Sequence, residues 1–144
     1  MRRSVVTAGS ALALSAALLT GCSSTTDTAA DTATAEQSAG AAVVDPAAFQ
    51  QAIDNGAEVI DVRTPAEYAA GHIDGAVNID IASPDFAAQV SALDPSAPYA
   101  VYCRSGNRSA SALAEMAAVG MTGSYHLGGG IGAWQSAGGE VVTG

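Results

Sequence analysis

Lysine is absent from the 144 residues of this chain, and arginine occurs only as Arg2, Arg3, Arg63, Arg104 and Arg108. Set against fourteen Asp and Glu residues, this gives a formal charge of −9. Nucleic acid is excluded as a partner class, because phosphate neutralisation needs clustered basic side chains. The acidic surface reads as a solvated one. A membrane-spanning run is also missing, since the apolar stretch from Val5 to Leu19 falls short of the roughly 20 residues a spanning helix needs. Cysteine occurs twice, as Cys22 and Cys103, and the two histidines, His72 and His126, are far apart in the chain. No metal-ligand spacing and no organic-cofactor motif is present, so any chemistry must come from side chains and backbone. There is no internal repeat. What remains, 49% hydrophobic and 13% charged residues, suits one globular domain of ordinary size.

The first 21 residues read as an export signal and stand outside the fold. Arg2 and Arg3 form a positive start, and an Ala- and Leu-rich apolar stretch follows. Leu19-Thr20-Gly21-Cys22 then resembles the lipobox of bacterial lipoproteins. That resemblance implies cleavage before Cys22, lipidation of its sulfur, and attachment to the extracytoplasmic face of the cell membrane. Several acyl chains, at about 0.8 kcal/mol per buried CH₂, make a durable anchor. The alternative is an ordinary secretory signal cut near Ala29 or Ala30. From Ser23 to about Ala42 there is no aromatic and no large aliphatic residue. Such a segment cannot offset its ordering entropy by burial, and 22–42 reads as a flexible tether.

From residue 43 to 144 strand and helix signals alternate, which predicts an α/β layer architecture. Strands are expected at Ala42–Val44, Glu58–Val62, Ala76–Ile79, Tyr99–Tyr102 and Tyr125–Leu127. Asp45-Pro46 places a capping acid and an N1 proline ahead of a helix over Ala47–Asn55, closed by Gly56. Thr64-Pro65-Ala66-Glu67 has the form of a capping box. Ser83-Pro84-Asp85 is expected to open a helix running to about Leu93. A further helix is expected over Arg108–Val119 with Gly120 behind it, and a last one around Trp134.

The chemistry is concentrated in Tyr102-Cys103-Arg104-Ser105-Gly106-Asn107-Arg108-Ser109. A cysteine at the end of a strand, followed by a short polar loop and a helix, lies where α/β sheets place ligands. Such a loop can turn its backbone N–H groups inward as an anion cradle. With Arg104 and Arg108 nearby, the thiol is expected to titrate low. The competing possibility is a small, buried, inert thiol.

Cys103-Arg104-Ser105-Gly106-Asn107-Arg108 resembles the six-residue active-site loop of rhodaneses. Asp61 through Tyr68 and Gly71 through Ile79 resemble the first signature of that family, and Leu127-Gly128-Gly129-Gly130 with Trp134 its closing motif. The resemblance implies a rhodanese-like fold, a largely parallel five-stranded sheet flanked by helices. It implies that Cys103 takes a sulfane sulfur from thiosulfate or a similar anionic donor, forming a persulfide. A thiol or cyanide acceptor then removes the sulfur. The backbone of Arg104, Ser105, Gly106, Asn107 and Arg108 would bind the transferred sulfur, with no cofactor and no metal. Arg104 speaks against mercaptopyruvate as the donor, because family members using it tend to carry glycine there.

Asp61 and Arg63 are expected to support the strand end, and Glu67 to serve the capping box with Arg63 as its ion-pair partner. His72 is read as structural, Trp134 as core, and His126 has no assigned role. Ser105 and Ser109 could contact the sulfur or cap the helix; Arg108 could bind substrate or pair with an acid. A non-catalytic persulfide carrier is one alternative function. A phosphatase or arsenate reductase on the same fold is another, disfavoured because such loops place five residues between Cys and Arg and this one places four.

Changing Cys22 to Ala is expected to move the protein from the membrane fraction to the soluble one with sulfur transfer intact. Fractionation of expressing cells checks this, and continued membrane association of the variant would refute the lipid anchor.

Overall fold

The computed structural model describes residues 42–144. The export signal, Cys22 and the tether up to residue 41 lie outside the described residues. Five strands are present: β1 (Ala42–Val44), β2 (Glu58–Asp61), β3 (Val77–Asn78), β4 (Tyr99–Tyr102) and β5 (Tyr125–Leu127). Between and after them come α1 (Pro46–Asp54), α2 (Pro65–Ala70), α3 (Phe86–Ser91), α4 (Asn107–Ala118) and α5 (Gly130–Ser136). The sheet order is β1-β5-β4-β2-β3, and every pairing is parallel.

Two of the expected helix starts, those of α1 and α2, are made by the expected residues. Asp45 accepts the N–H of Ala48 at 2.8 Å, with Pro46 behind it. Thr64 and Glu67 form a reciprocal capping box. Three elements are shorter than the sequence implies, β2 by the single residue Val62. β3 keeps only Val77–Asn78, for it is an edge strand with β2 on one side alone. α3 begins at Phe86, because Ser83 to Phe86 close a turn first and Asp85 makes no side-chain cap.

β4, buried at all four positions, divides its side chains between two apolar layers. Tyr99, Val101 and Cys103 face α3 and α4, packing with Phe86, Val90, Ala112, Leu113 and Met116. Ala100 and Tyr102 face the other way, toward Phe49 of α1 and Ile131 and Trp134 of α5. Period-two alternation thus fixes which helix layer receives the cysteine. The loops after β2 and β4 leave toward opposite edges of the sheet. This is the switch point at which parallel α/β sheets open a crevice.

Phe49 is wholly buried and meets both Tyr102 and Trp134 edge to face, at centroid distances of 6.4 and 5.9 Å. Phe49→Ala is expected to cost about 3–5 kcal/mol. Urea unfolding measures it; a loss below about 1 kcal/mol would show that this layer collapses freely around the cavity.

Candidate active site

Cys103 follows directly on the last residue of β4, and its side chain is fully covered. The chain then turns through Arg104 and Ser105 to Gly106, the N-cap of α4, at φ +98°. A side chain at Gly106 would be strained by that φ and would press on the backbone of Leu127 and Gly129. The turn brings the N–H of Gly106 to 3.0 Å from Sγ of Cys103. Ser109, one turn into α4, sets its hydroxyl 3.5 Å from the same sulfur. From below, Ile131 donates its N–H to the Cys103 carbonyl at 2.8 Å. That approach requires glycine at 130, where a Cβ would overlap the carbonyl groups of Cys103 and Arg104.

Burial alone would push the Cys103 thiol up. The Ser109 hydroxyl and the N–H groups of Ser109, Ser105 and Gly106 outweigh it, and the thiol titrates below its ordinary value. The hydrogen bonds that lower it come from dipoles of the loop. Arg104 is exposed and makes no hydrogen bond or ion pair among the described residues, while Arg108, although bound to Glu67, still acts on the thiol through its charge, each favouring the charged form of the other.

Arg108 reaches across to α2 and binds Glu67 through both nitrogens, each at 2.8 Å. Glu67 is thus the partner of Arg108, and its expected pairing with Arg63 is not made. Arg63 instead forms a fork with the buried Asp61, at 2.6 to 3.0 Å, and donates to the Gly71 carbonyl at 2.7 Å. Its guanidinium stacks over the ring of Tyr102, 5.5 Å from the centroid. These contacts tie the end of β2, the end of α2 and the residue before Cys103 into one block. Asn78, to which the sequence reading gives no role, closes the block by donating to the carbonyls of Asp61 and Arg63.

His72 stacks on Tyr68, at 3.7 Å between centroids, with Nδ1 3.0 Å from the Tyr68 carbonyl, and its backbone pairs with Val142. Neither serine caps α4, whose N-cap Gly106 has no side-chain partner. Ser105 is exposed and Asn107 likewise. Ser109 is buried against the sulfur, and behind it lies His126, which sequence reasoning passed over. Its place on β5, one register step from β4, was the available signal. Among the described residues no cluster of three or more His, Cys, Asp or Glu could hold a metal ion. None of their helices is long and apolar enough to cross a membrane.

A parallel α/β domain with a low-titrating cysteine in a strand-to-helix loop defines the class of protein. Within that class the rhodanese-like domain family matches residues 45–137, and the chain belongs to that family. The thiosulfate sulfurtransferase GlpE of Pseudomonas paraeruginosa is 42% identical over 92 residues, covering 63% of this chain and 81% of that protein. Its counterpart in Pseudomonas aeruginosa is 41% identical over the same span. Among solved structures, a rhodanese-related protein from Thermoplasma volcanium superposes with a TM-score of 0.65 at 31% identity. That match covers 72% of this chain and 99% of the other.

Hydrogen bonds from Arg108 and Thr64 hold the Glu67 carboxyl at a pKa of about 2, below its ordinary 4.5. The pair therefore contributes fully above about pH 4.5 and is lost as pH falls toward 2. Glu67→Gln is expected to lose about 0.5–1 kcal/mol at neutral pH, since both groups are partly solvated. Denaturant unfolding across the acid range should show that gap closing; a gap independent of pH would mean the ion pair is not its source.

Proposed function

We propose that the domain moves a sulfane sulfur from thiosulfate, or a similar anionic donor, to a thiophilic acceptor through a persulfide on Cys103. Kinship with curated thiosulfate sulfurtransferases, at about two-fifths identity over four-fifths of their length, makes the chain a rhodanese-type sulfurtransferase. The observation that carries the mechanistic reading is the 3.0 Å approach of the Gly106 N–H to Sγ, within a loop that lowers the thiol pKa.

The steps follow from that geometry. The Cys103 thiolate attacks the outer sulfur of thiosulfate, the S–S bond of the donor breaks, and sulfite leaves with the electron pair. The negative charge now rests on the outer sulfur of the persulfide, where further N–H groups of the Arg104–Arg108 segment receive it. Cyanide or a thiolate attacks that sulfur and returns the Cys103 thiolate. Dividing the transfer in two gives ping-pong kinetics. Cys103 is wholly covered, and the loop residues beside it that reach solvent, Arg104 and Ser105, mark the entrance for the donor. Arg104 supplies the cation at that entrance. Four residues between Cys103 and Arg108 form a ring suited to one sulfur atom, and Arg108 is committed to Glu67. Both features weigh against phosphate ester hydrolysis. Cys22 would hold the domain on the outer face of the membrane by its lipid.

Intact mass spectrometry after thiosulfate treatment is expected to show one added sulfur, located on Cys103. Cys103→Ser should abolish transfer, since a serine hydroxyl cannot form the persulfide. Arg104→Ala should lower thiosulfate kcat/KM about tenfold to a hundredfold, matching the 1.5–3 kcal/mol of a charge-assisted hydrogen bond. Turnover of aryl phosphates with no sulfur gained by Cys103 would overturn this reading.

A further inference from the structure

His126 belongs to none of the three sequence segments that form the site, yet its ring reaches the sulfur through one intermediary. β5 sets it in register with Val43 of β1 and Val101 of β4, on the sheet face that also carries Cys103. Its Nδ1 lies 3.4 Å from Oγ of Ser109. The same oxygen lies 3.5 Å from Sγ of Cys103 and 3.0 Å from the carbonyl oxygen of Gly106. Ser109 is wholly buried and His126 nearly so, so water does not compete freely for these bonds.

A serine hydroxyl carries a single hydrogen, and three acceptors compete for it here if Nδ1 is bare. If Nδ1 carries a hydrogen, the competition changes. The ring then donates to Oγ, and the serine hydrogen is left to the Gly106 carbonyl or to the sulfur. With the thiol neutral, the closer Gly106 carbonyl holds that hydrogen. Once the sulfur is negative, as thiolate or as persulfide, rotation about the Cβ–Oγ bond delivers it to Sγ. Donation from the ring into Oγ also polarises the hydroxyl and strengthens it as a donor.

We propose that His126 is a positioning residue for the sulfur site, its Nδ1–H holding the Ser109 hydroxyl available to Cys103. The proposal rests on the reading of Cys103 as the reacting group. The surroundings favour a neutral ring in this role. Burial by itself pushes the His126 pKa down, with no charged side chain contributing. The ionisable groups that the packed elements carry on this face are Tyr99 of β4, Cys103 directly after it, and Arg108 and Glu115 of α4, whereas Tyr102 of β4 lies on the opposite face. Tyr99 donates to the Asp94 carbonyl, Arg108 is bound to Glu67, and Glu115 is exposed. What reaches the sulfur from His126 is thus a directed hydrogen bond, relayed through Ser109.

The test is the pH dependence of iodoacetamide alkylation in the full chain, followed at the Cys103 peptide by mass spectrometry. His126→Leu and Ser109→Ala are each expected to raise the Cys103 pKa by roughly one unit, about a tenfold loss of thiolate below that pKa. Adding His126→Leu to Ser109→Ala should change nothing more, because the relay is already cut. His126→Asn, whose side-chain amide can present an N–H where Nδ1 stood, should restore most of the wild-type profile. Equal shifts for Asn and Leu, or shifts that sum in the double variant, would show a packing role and overturn the proposal. Should His126→Leu not fold, an unchanged Cys103 pKa in Ser109→Ala overturns it equally. The alkylation profile is independent of sulfur transfer. A wild-type protein that gains no sulfur from thiosulfate would therefore sink the sulfurtransferase mechanism separately.

Discussion

Asp61 has no exposure to water, and Arg63, two residues on, is nearly as covered. Taking both charges out of water is costly unless the geometry is good and the remaining donors find partners. Here the carboxylate receives the Arg63 N–H and a forked guanidinium, and the guanidinium spends another donor on the Gly71 carbonyl. Its flat face lies on Tyr102, whose hydroxyl accepts the N–H of Ile73. One ion pair thereby binds the C-terminal end of β2, the exit from α2 and the residue preceding Cys103. The Cys103 loop hangs from this block, and so does the register of β2 on β4 that sets Asp61 opposite Tyr102.

The distribution of positive charge follows a simple economy. Three arginines fall among the described residues, and two of them are neutralised by carboxylates that brace the fold. Arg104 alone stands exposed beside the loop. The hydrogen bonds to the sulfur come from neutral donors, the N–H groups of Ser105, Gly106 and Ser109 and one hydroxyl. The N–H dipoles are fixed by the backbone and need no reorganisation for a negative sulfur, whereas the hydroxyl is free to turn toward it. A full positive charge against Sγ would hold a departing anion as firmly as an arriving one. In the proposed reaction, an arginine at the entrance of an otherwise acidic domain would draw the donor in without doing so.

Much of this was legible in the residues themselves. The Asp45 and Thr64 caps, the strand leading into Cys103, and glycines at the turns are local features, decided by side chains within a few positions of each other. The strand at Tyr99–Tyr102 was legible too, although which layer receives the thiol emerged only from the folded sheet. The parallel sheet and the cysteine loop were accessible for the same reason. They are written in contiguous segments whose backbone needs are visible in composition and spacing.

Which arginine meets which acid was decided only by the folded chain. Glu67 lies four residues from Arg63 and forty-one from Arg108, and sequence proximity favoured the wrong partner. Arg63 is turned inward because Asp61 is buried beneath it, leaving Glu67 to face α4 across the crevice. His126 is the stronger case, for nothing near it in the chain marks it as part of a site. It meets Ser109 because β5 pairs with β4 in parallel and α4 packs back over both. Contacts of that kind depend on strand order and helix packing, which couple residues far apart in the chain, and no local spacing carries them.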